Sequence, residues 1–188
     1  MKKNLLIMLG IIVVVILLFA TTLISQYNKV IRMNEAVDAQ WAQVENQLKR
    51  RFDLIPNLVE TVKGYAAHEK EVFEFIAEAR TAYFSAKSVG DKARTAGELE
   101  GALSRLLLLQ ERYPDLKANE SFLKLQDSLE GAENRIAVER MRYNETVRML
   151  NSYVKSFWGR FFAAWAGVEK AQYFEIPEAQ TETPKVKF

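Results

Sequence analysis

Two periodicities divide the chain. Leu5 to Ile24 is a run of 20 residues without a charge, and from Val30 onward apolar positions recur in alternating steps of three and four. At about 1.5 Å per residue the first run makes a helix of roughly 30 Å, the thickness of a hydrocarbon core, so it predicts a single transmembrane helix over 5–24 behind a short flank at 1–4. Its apolar positions are Leu5, Leu6, Ile7, Ile11, Ile12, Val13, Val14, Val15, Ile16, Leu17, Leu18, Phe19, Leu23 and Ile24. Lys2 and Lys3 also suit the start of a cleaved signal peptide. Such a peptide asks for a shorter apolar segment and a small-x-small cleavage site, for which Ala20 and Thr22 are poor candidates, so a retained anchor is expected.

The second pattern steps through Val30, Asn34, Val37, Trp41, Val44, Leu48, Arg51, Ile55, Leu58, Val62, Tyr65, Glu69, Val72, Ile76, Ala79 and Tyr83. All but Asn34, Arg51 and Glu69 are apolar or aromatic, a seam held in phase over many turns. The phase crosses Pro56 without a slip, so the expectation is one nearly continuous helix kinked at Pro56, with a fresh helix capped by Asp53 as the alternative. A loop is expected near 88–98, with Gly90 closing one helix and Asp91 capping the next. A shorter helix comes after it, through the "LLLL" block at Leu106–Leu109. A break is expected near 113–119, because Pro114 disfavours helical geometry at Tyr113 and Asn119 can cap the last helix.

That last helix repeats the seam through Phe122, Leu125, Leu129, Ala132, Ile136, Glu139, Tyr143, Thr146, Leu150, Tyr153 and Phe157. Stripes of this kind must be buried against one another. The fold class is therefore all-α: an N-terminal transmembrane helix, then an elongated, antiparallel, coiled-coil-like bundle of three to four helices over 26–168. A polar, proline-bearing tail at 175–188 is expected to be mobile.

Composition narrows the chemistry. The chain has 188 residues, 26 basic against 24 acidic, interspersed so that the net charge is +2, and no basic arm recommends nucleic acid as a partner. Without cysteine, and with His68 as the one histidine, there is no disulfide, no thiolate site and no multi-histidine zinc centre, and no cofactor is expected. "SFWGRFFAAWAGV" at 156–168 gathers Phe157, Trp158, Phe161, Phe162 and Trp165 around Arg160. Such a segment suits a lipid surface or the end of a bundle.

The stretches "YNKVIRMNEAVDAQWAQVENQLKRRFDLIPNLVETVKGYAAHE", "ERYPDLKANESFLKLQDSLEGAENRIAVERMRYNETVRMLN" and "PKVKF" resemble the LemA family of bacterial membrane proteins. The resemblance implies one N-terminal membrane helix, a helical bundle and no established enzymatic activity. Through relatives in magnetic bacteria it implies membrane organisation. It leaves topology open: relatives with a lipoprotein-type cysteine imply an exported domain, whereas the family has also been given an outward N-terminus. The Lys2 and Lys3 flank leans toward a cytoplasmic N-terminus and an extracytoplasmic domain. Where many relatives have Phe-Pro after the last helix, this chain has Phe157-Trp158.

The motif's polar positions are Arg50, Arg51, Asp53, Asn57, Lys63, His68 and Glu69 around Pro56, then Lys117, Asn119, Glu133, Asn134, Arg140, Tyr143 and Asn144. A catalytic use would make Asp53 or Glu69 a base with His68 as relay. No nucleophile motif, phosphate-cradling loop or HExxH supports it. The expected use is an interhelix or partner-binding polar network, with Arg50 or Arg51 paired to an acid across the bundle. The functional expectation is a non-enzymatic, single-pass scaffold in the bacterial inner membrane, partnered by lipid and by further copies of itself. The alternatives are a membrane-attached hydrolase and a homo-oligomeric channel.

Overall fold

The computed structural model describes residues 2–175, except for the side chains of Lys2 and Leu5. Met1 and residues 176–188, most of the expected tail, lie outside the described residues. The protein is all-α, with bundle-like helix packing. Its helices are α1 (Lys2–Lys63), α2 (Lys70–Ser85), α3 (Val89–Leu108), α4 (Pro114–Lys117), α5 (Glu120–Lys155) and α6 (Phe157–Ala166), with a short 3-10 turn at Leu109–Glu111. The chain divides into two compact units, Met1–Gln40 with Glu145–Ala171 and Trp41–Asn144 with Gln172–Phe188.

In the first unit α1 carries the apolar run, and residues 6–19 have their side chains exposed. Beyond it the core is Val30 with Phe162 and Ala163, flanked by Leu23, Tyr27, Tyr153, Val154, Ala166 and Val168. The seam expected to continue to Phe157 stops two residues earlier. Ser156 turns out of the helix; its hydroxyl donates to the Tyr153 carbonyl at 2.7 Å and accepts from the Gly159 amide at 3.1 Å, starting α6 on a new axis. Phe157 is consequently exposed, not a seam residue. Gly159 permits the turn, since a Cβ there would fall 1.9 Å from the Tyr153 carbonyl oxygen. Gly167, at φ 67, ends α6: its amide and that of Val168 reach back to Ala164 and Ala163.

In the second unit α1 buries Val44, Leu48, Phe52, Ile55, Leu58 and Val62. The helix runs through Pro56 without interruption. The proline lies on the exposed side, so its ring takes no place in the core. The real break comes at residues 64–69, inside the seam that had been expected to continue to Tyr83. Gly64, a poor helix former, comes directly after Lys63, and Ala66 drops into the core. α2 returns on α1, with the Phe52 and Tyr83 rings 4.4 Å apart edge to face.

The loop expected near 88–98 shrinks to three residues, 86–88. The Ser88 hydroxyl caps α3 by accepting from the Asp91 amide at 3.0 Å, and Asp91 in turn accepts from that hydroxyl, so the cap sits three residues before the expected one. Gly90 lies in the first turn of α3, not at the end of α2. The apolar face of α3, Ala93, Ala96, Leu99, Leu103 and Leu106, is buried. Near 113–119 the break contains the single-turn α4, and Asn119 caps α5 by accepting from the Phe122 amide at 2.9 Å.

Candidate functional site

In the second unit one guanidinium sits at the junction of three helices. Arg51 of α1 is buried and makes ion pairs with Glu100 of α3 and Glu133 of α5 through the same nitrogen. Arg140, two turns along α5 from Glu133, lines the same small cleft, its guanidinium carbon 5.0 Å from the Phe174 ring centroid. Burial pushes the Arg140 guanidinium below its ordinary value, and the Glu133 charge acts against that. Two arginines and two carboxylates thus balance inside one packed layer. Permanently charged guanidinium groups hold helices in register; they are poor proton carriers at neutral pH.

Phe174, itself buried, belongs to an extended segment after α6 that lies on this layer. Asn144 holds it by both backbone groups, donating to the Phe174 carbonyl at 3.1 Å and accepting from its amide at 2.9 Å. The Tyr143 hydroxyl donates to the Gln172 carbonyl at 2.7 Å, and the Gln172 side chain accepts from the Gly90 amide at 3.2 Å, an amide at the start of α3 that the helix leaves without a partner. Trp41 closes over the segment, 5.7 Å from Phe174 and 5.3 Å from Tyr143 by ring centroids.

The remaining polar motif positions go elsewhere. Glu69, directly before α2, accepts from the Tyr113 hydroxyl and pairs with Arg112, both at 3.1 Å. Lys63 pairs with Glu60 one turn back. Arg50, Asp53, Asn57, His68 and Asn134 stand exposed. Asp53, His68 and Glu69 therefore do not form a shared buried base and relay.

The first unit offers a different surface. Phe157, Trp158, Phe161 and Trp165 are between 57% and 69% exposed on one side of α6, while Phe162, counted among the surface aromatics on sequence grounds, turns inward at 8%. The helical repeat accounts for this: Gly159, Phe162 and Ala163 share the inner face, and 157, 161 and 165 run down the outer one. Beside this helix lies a cleft of about 350 Å³, walled by Phe19, Thr22, Leu23 and Gln26 of α1 and by Tyr153, Ser156, Trp158, Gly159 and Phe162. Tyr153 donates to Gln26 at 2.9 Å, and burial pushes its phenol up. Asn151 grips Ala171 through amide and carbonyl, both at 2.9 Å.

Sequence reasoning missed Glu100, Asn151, Gln172, Phe174 and Gly159. One signal was present: Asn144 and Asn151, poor residues for a helix interior, recur seven apart on one face of α5. Phe174, three residues before Pro177 in a polar stretch, gave none.

The chain is similar in sequence to several known proteins. The magnetosome protein MamQ of Magnetospirillum gryphiswaldense is 27% identical, over 95% of this chain and 76% of that protein. Magnetosome protein MamQ 2 of Paramagnetospirillum magneticum is 26% identical, over 84% and 67%. Protein LemA of Metamycoplasma hominis is 22% identical, over 87% and 75%. The model of the LemA family matches residues 40–188, which takes in the ion cluster, the Asn144 clamp and α6. The chain belongs to the LemA family.

Proposed function

We propose that this protein is a non-enzymatic scaffold, anchored in the bacterial inner membrane by one pass of α1, that self-associates or recruits partners and organises the surrounding membrane. The observation that carries this reading is the pairing, within one unit, of a charge-free helical run exposed over residues 6–19 with a second helix whose outer face is four aromatic rings. Water disfavours such a surface, whereas a bilayer accepts the run in its hydrocarbon and the rings at its boundary. Thr21 and Thr22 support it by returning their hydroxyls to the Leu18 carbonyl, which leaves neither hydroxyl an unsatisfied donor facing lipid. The relatives named for magnetosomes, a membrane-bounded compartment, point the same way by analogy. The basic flank of Lys2 and Lys3 favours an extracytoplasmic domain.

The deciding experiment labels single cysteines introduced at Lys3 and Thr183 in intact cells with a membrane-impermeant reagent, alongside alkaline extraction of the membranes and sizing in detergent. The expected result is an unextractable protein, labelled only at position 183, that runs as a defined oligomer. Release by alkali would overturn the anchor, labelling at position 3 the orientation, and a monomer the self-association.

A further inference from the structure

The cleft beside α6 has no assigned occupant, and its walls state what would suit it. Its hydroxyls are engaged internally: Thr22 with the Leu18 carbonyl, Tyr153 with Gln26, and Ser156 with the Tyr153 carbonyl and the Gly159 amide. A polar metabolite would find few groups to bind, while an apolar chain would gain contact on every side. At about 350 Å³ the space lies near the lower end of the roughly 300–1,000 Å³ typical of small-molecule sites, enough for a single chain but not for a whole lipid.

Position along α1 names the source of that chain. Phe19, Thr22 and Leu23 belong to the charge-free run, and Gln26 lies just past its end, so the cleft crosses from hydrocarbon depth to the headgroup boundary over about 10 Å. One turn beyond Gln26, the Lys29 ammonium stands 4.8 Å from the ring centroid of Tyr153, itself a wall of the cleft. A cation at this level complements a phosphate. We infer that the cleft between α1 and α6 is a lipid site that takes one acyl chain of a phospholipid from the surrounding bilayer and faces its phosphate with Lys29. The inference rests on the anchored reading above and adds a specific occupant to it.

The test places the full chain in nanodiscs doped with a phosphatidylglycerol whose acyl chain carries a diazirine, and maps adducts by mass spectrometry after irradiation. Adducts are expected on residues 6–18 and also on Gln26 or Tyr153. Thr22→Phe, at an exposed position where a larger side chain fills the cleft, should lower the Gln26 and Tyr153 adducts at least fivefold while those on 6–18 persist. Lys29→Gln should lower them for the anionic lipid. Labelled 6–18 with unlabelled Gln26 and Tyr153, or Tyr153 labelling unchanged by Thr22→Phe, overturns the lipid site alone. Absence of adducts on 6–18 overturns the anchored reading and the site with it. Labelling by a photoreactive free fatty acid but not by the phospholipid overturns the assigned occupant.

Discussion

Arg51 ties three helices of the second unit together, because two acids from different helices depend on one nitrogen. Arg51→Ala should destabilise by about 1–3 kcal/mol, below the cost of a fully buried pair, since Glu100 and Glu133 keep roughly two-fifths of their side-chain surface in water. Arg51→Met should recover only the packing share of that loss, because it fills the site but leaves Glu100 and Glu133 facing one another without their cation. Asp53→Ala, three residues from Pro56 and exposed, should shift stability by no more than about 0.5 kcal/mol. Thermal unfolding of the three variants checks the ranking. A loss in Asp53→Ala equal to that in Arg51→Ala would contradict it.

A second residue-scale expectation concerns pH. Burial, and then the nearby Glu45 charge, push the Tyr83 phenol well above its ordinary value of 10.0. The folded state therefore holds this proton in a range where the unfolded chain releases it. The associated stability is complete below about pH 10 and declines as pH rises above that, because folding binds the extra proton. The ammonium of Lys92 and the rings of Phe52 and Phe84 also border this phenol. Tyr83→Phe should flatten the alkaline fall in unfolding free energy, leaving the smaller contributions of Tyr113 and Tyr153, whose phenols are also raised. Denaturant titrations from about pH 9 to about pH 11, spanning the ordinary phenol range, measure the slope, and an identical slope in the variant would remove Tyr83 from the account.

At the scale of elements, the clamp on the extended segment makes the sharpest prediction. Asn144→Ala deletes one donor and one acceptor to the Phe174 backbone, at a cost of about 1–3 kcal/mol, and at this chain length each kcal/mol lowers Tm by about 2–4 °C. Phe174→Ala should cost more, about 3–5 kcal/mol, since it empties a buried aromatic site between Trp41 and Arg140. Gln172→Ala, exposed and bonded by one amide, should cost least. These same elements show where sequence reading succeeds and fails. The stripe from Val30 to Val62 was legible because a heptad seam reports burial directly, and Arg51 stood out as the charge within it. The stop at residues 64–69 was not, because the seam's phase continues across it and the contacts that Glu69 makes there, to Tyr113 and Arg112, are distant in sequence. The start of α3 was misplaced because Gly90 reads as a terminator until Ser88 is seen to cap ahead of it. Phe174 was illegible: its burial depends on Asn144, which gives no local pattern to the tail.

At the scale of the whole molecule, the two units carry different kinds of surface, and this separates their mutants. In the second unit Arg51, Arg140 and Asn144 are engaged in the ion cluster and the clamp, so damage there should appear as lost stability. In the first unit Phe157 and Phe161 are exposed and their ring contacts lie within α6, so replacing these two should leave the packing of α6 on α1 intact and change what the protein does with lipid. The combination Phe157→Ser with Phe161→Ser should leave Tm in detergent within about 2 °C of the parent, since a shift of about 0.5 kcal/mol corresponds to no more than that. In nanodiscs of brominated phosphatidylcholine it should reduce the quenching of Trp158, read with Trp41 and Trp165 replaced by Phe, because two boundary anchors on the same face are gone. Asn144→Ala should do the reverse, lowering Tm while leaving Trp158 quenching unchanged. If instead the serine pair unfolds the protein, the outer face of α6 is a packing surface and the membrane has no claim on it; if Asn144→Ala releases Trp158 from lipid, the clamp governs the membrane contact and the two surfaces act as one device.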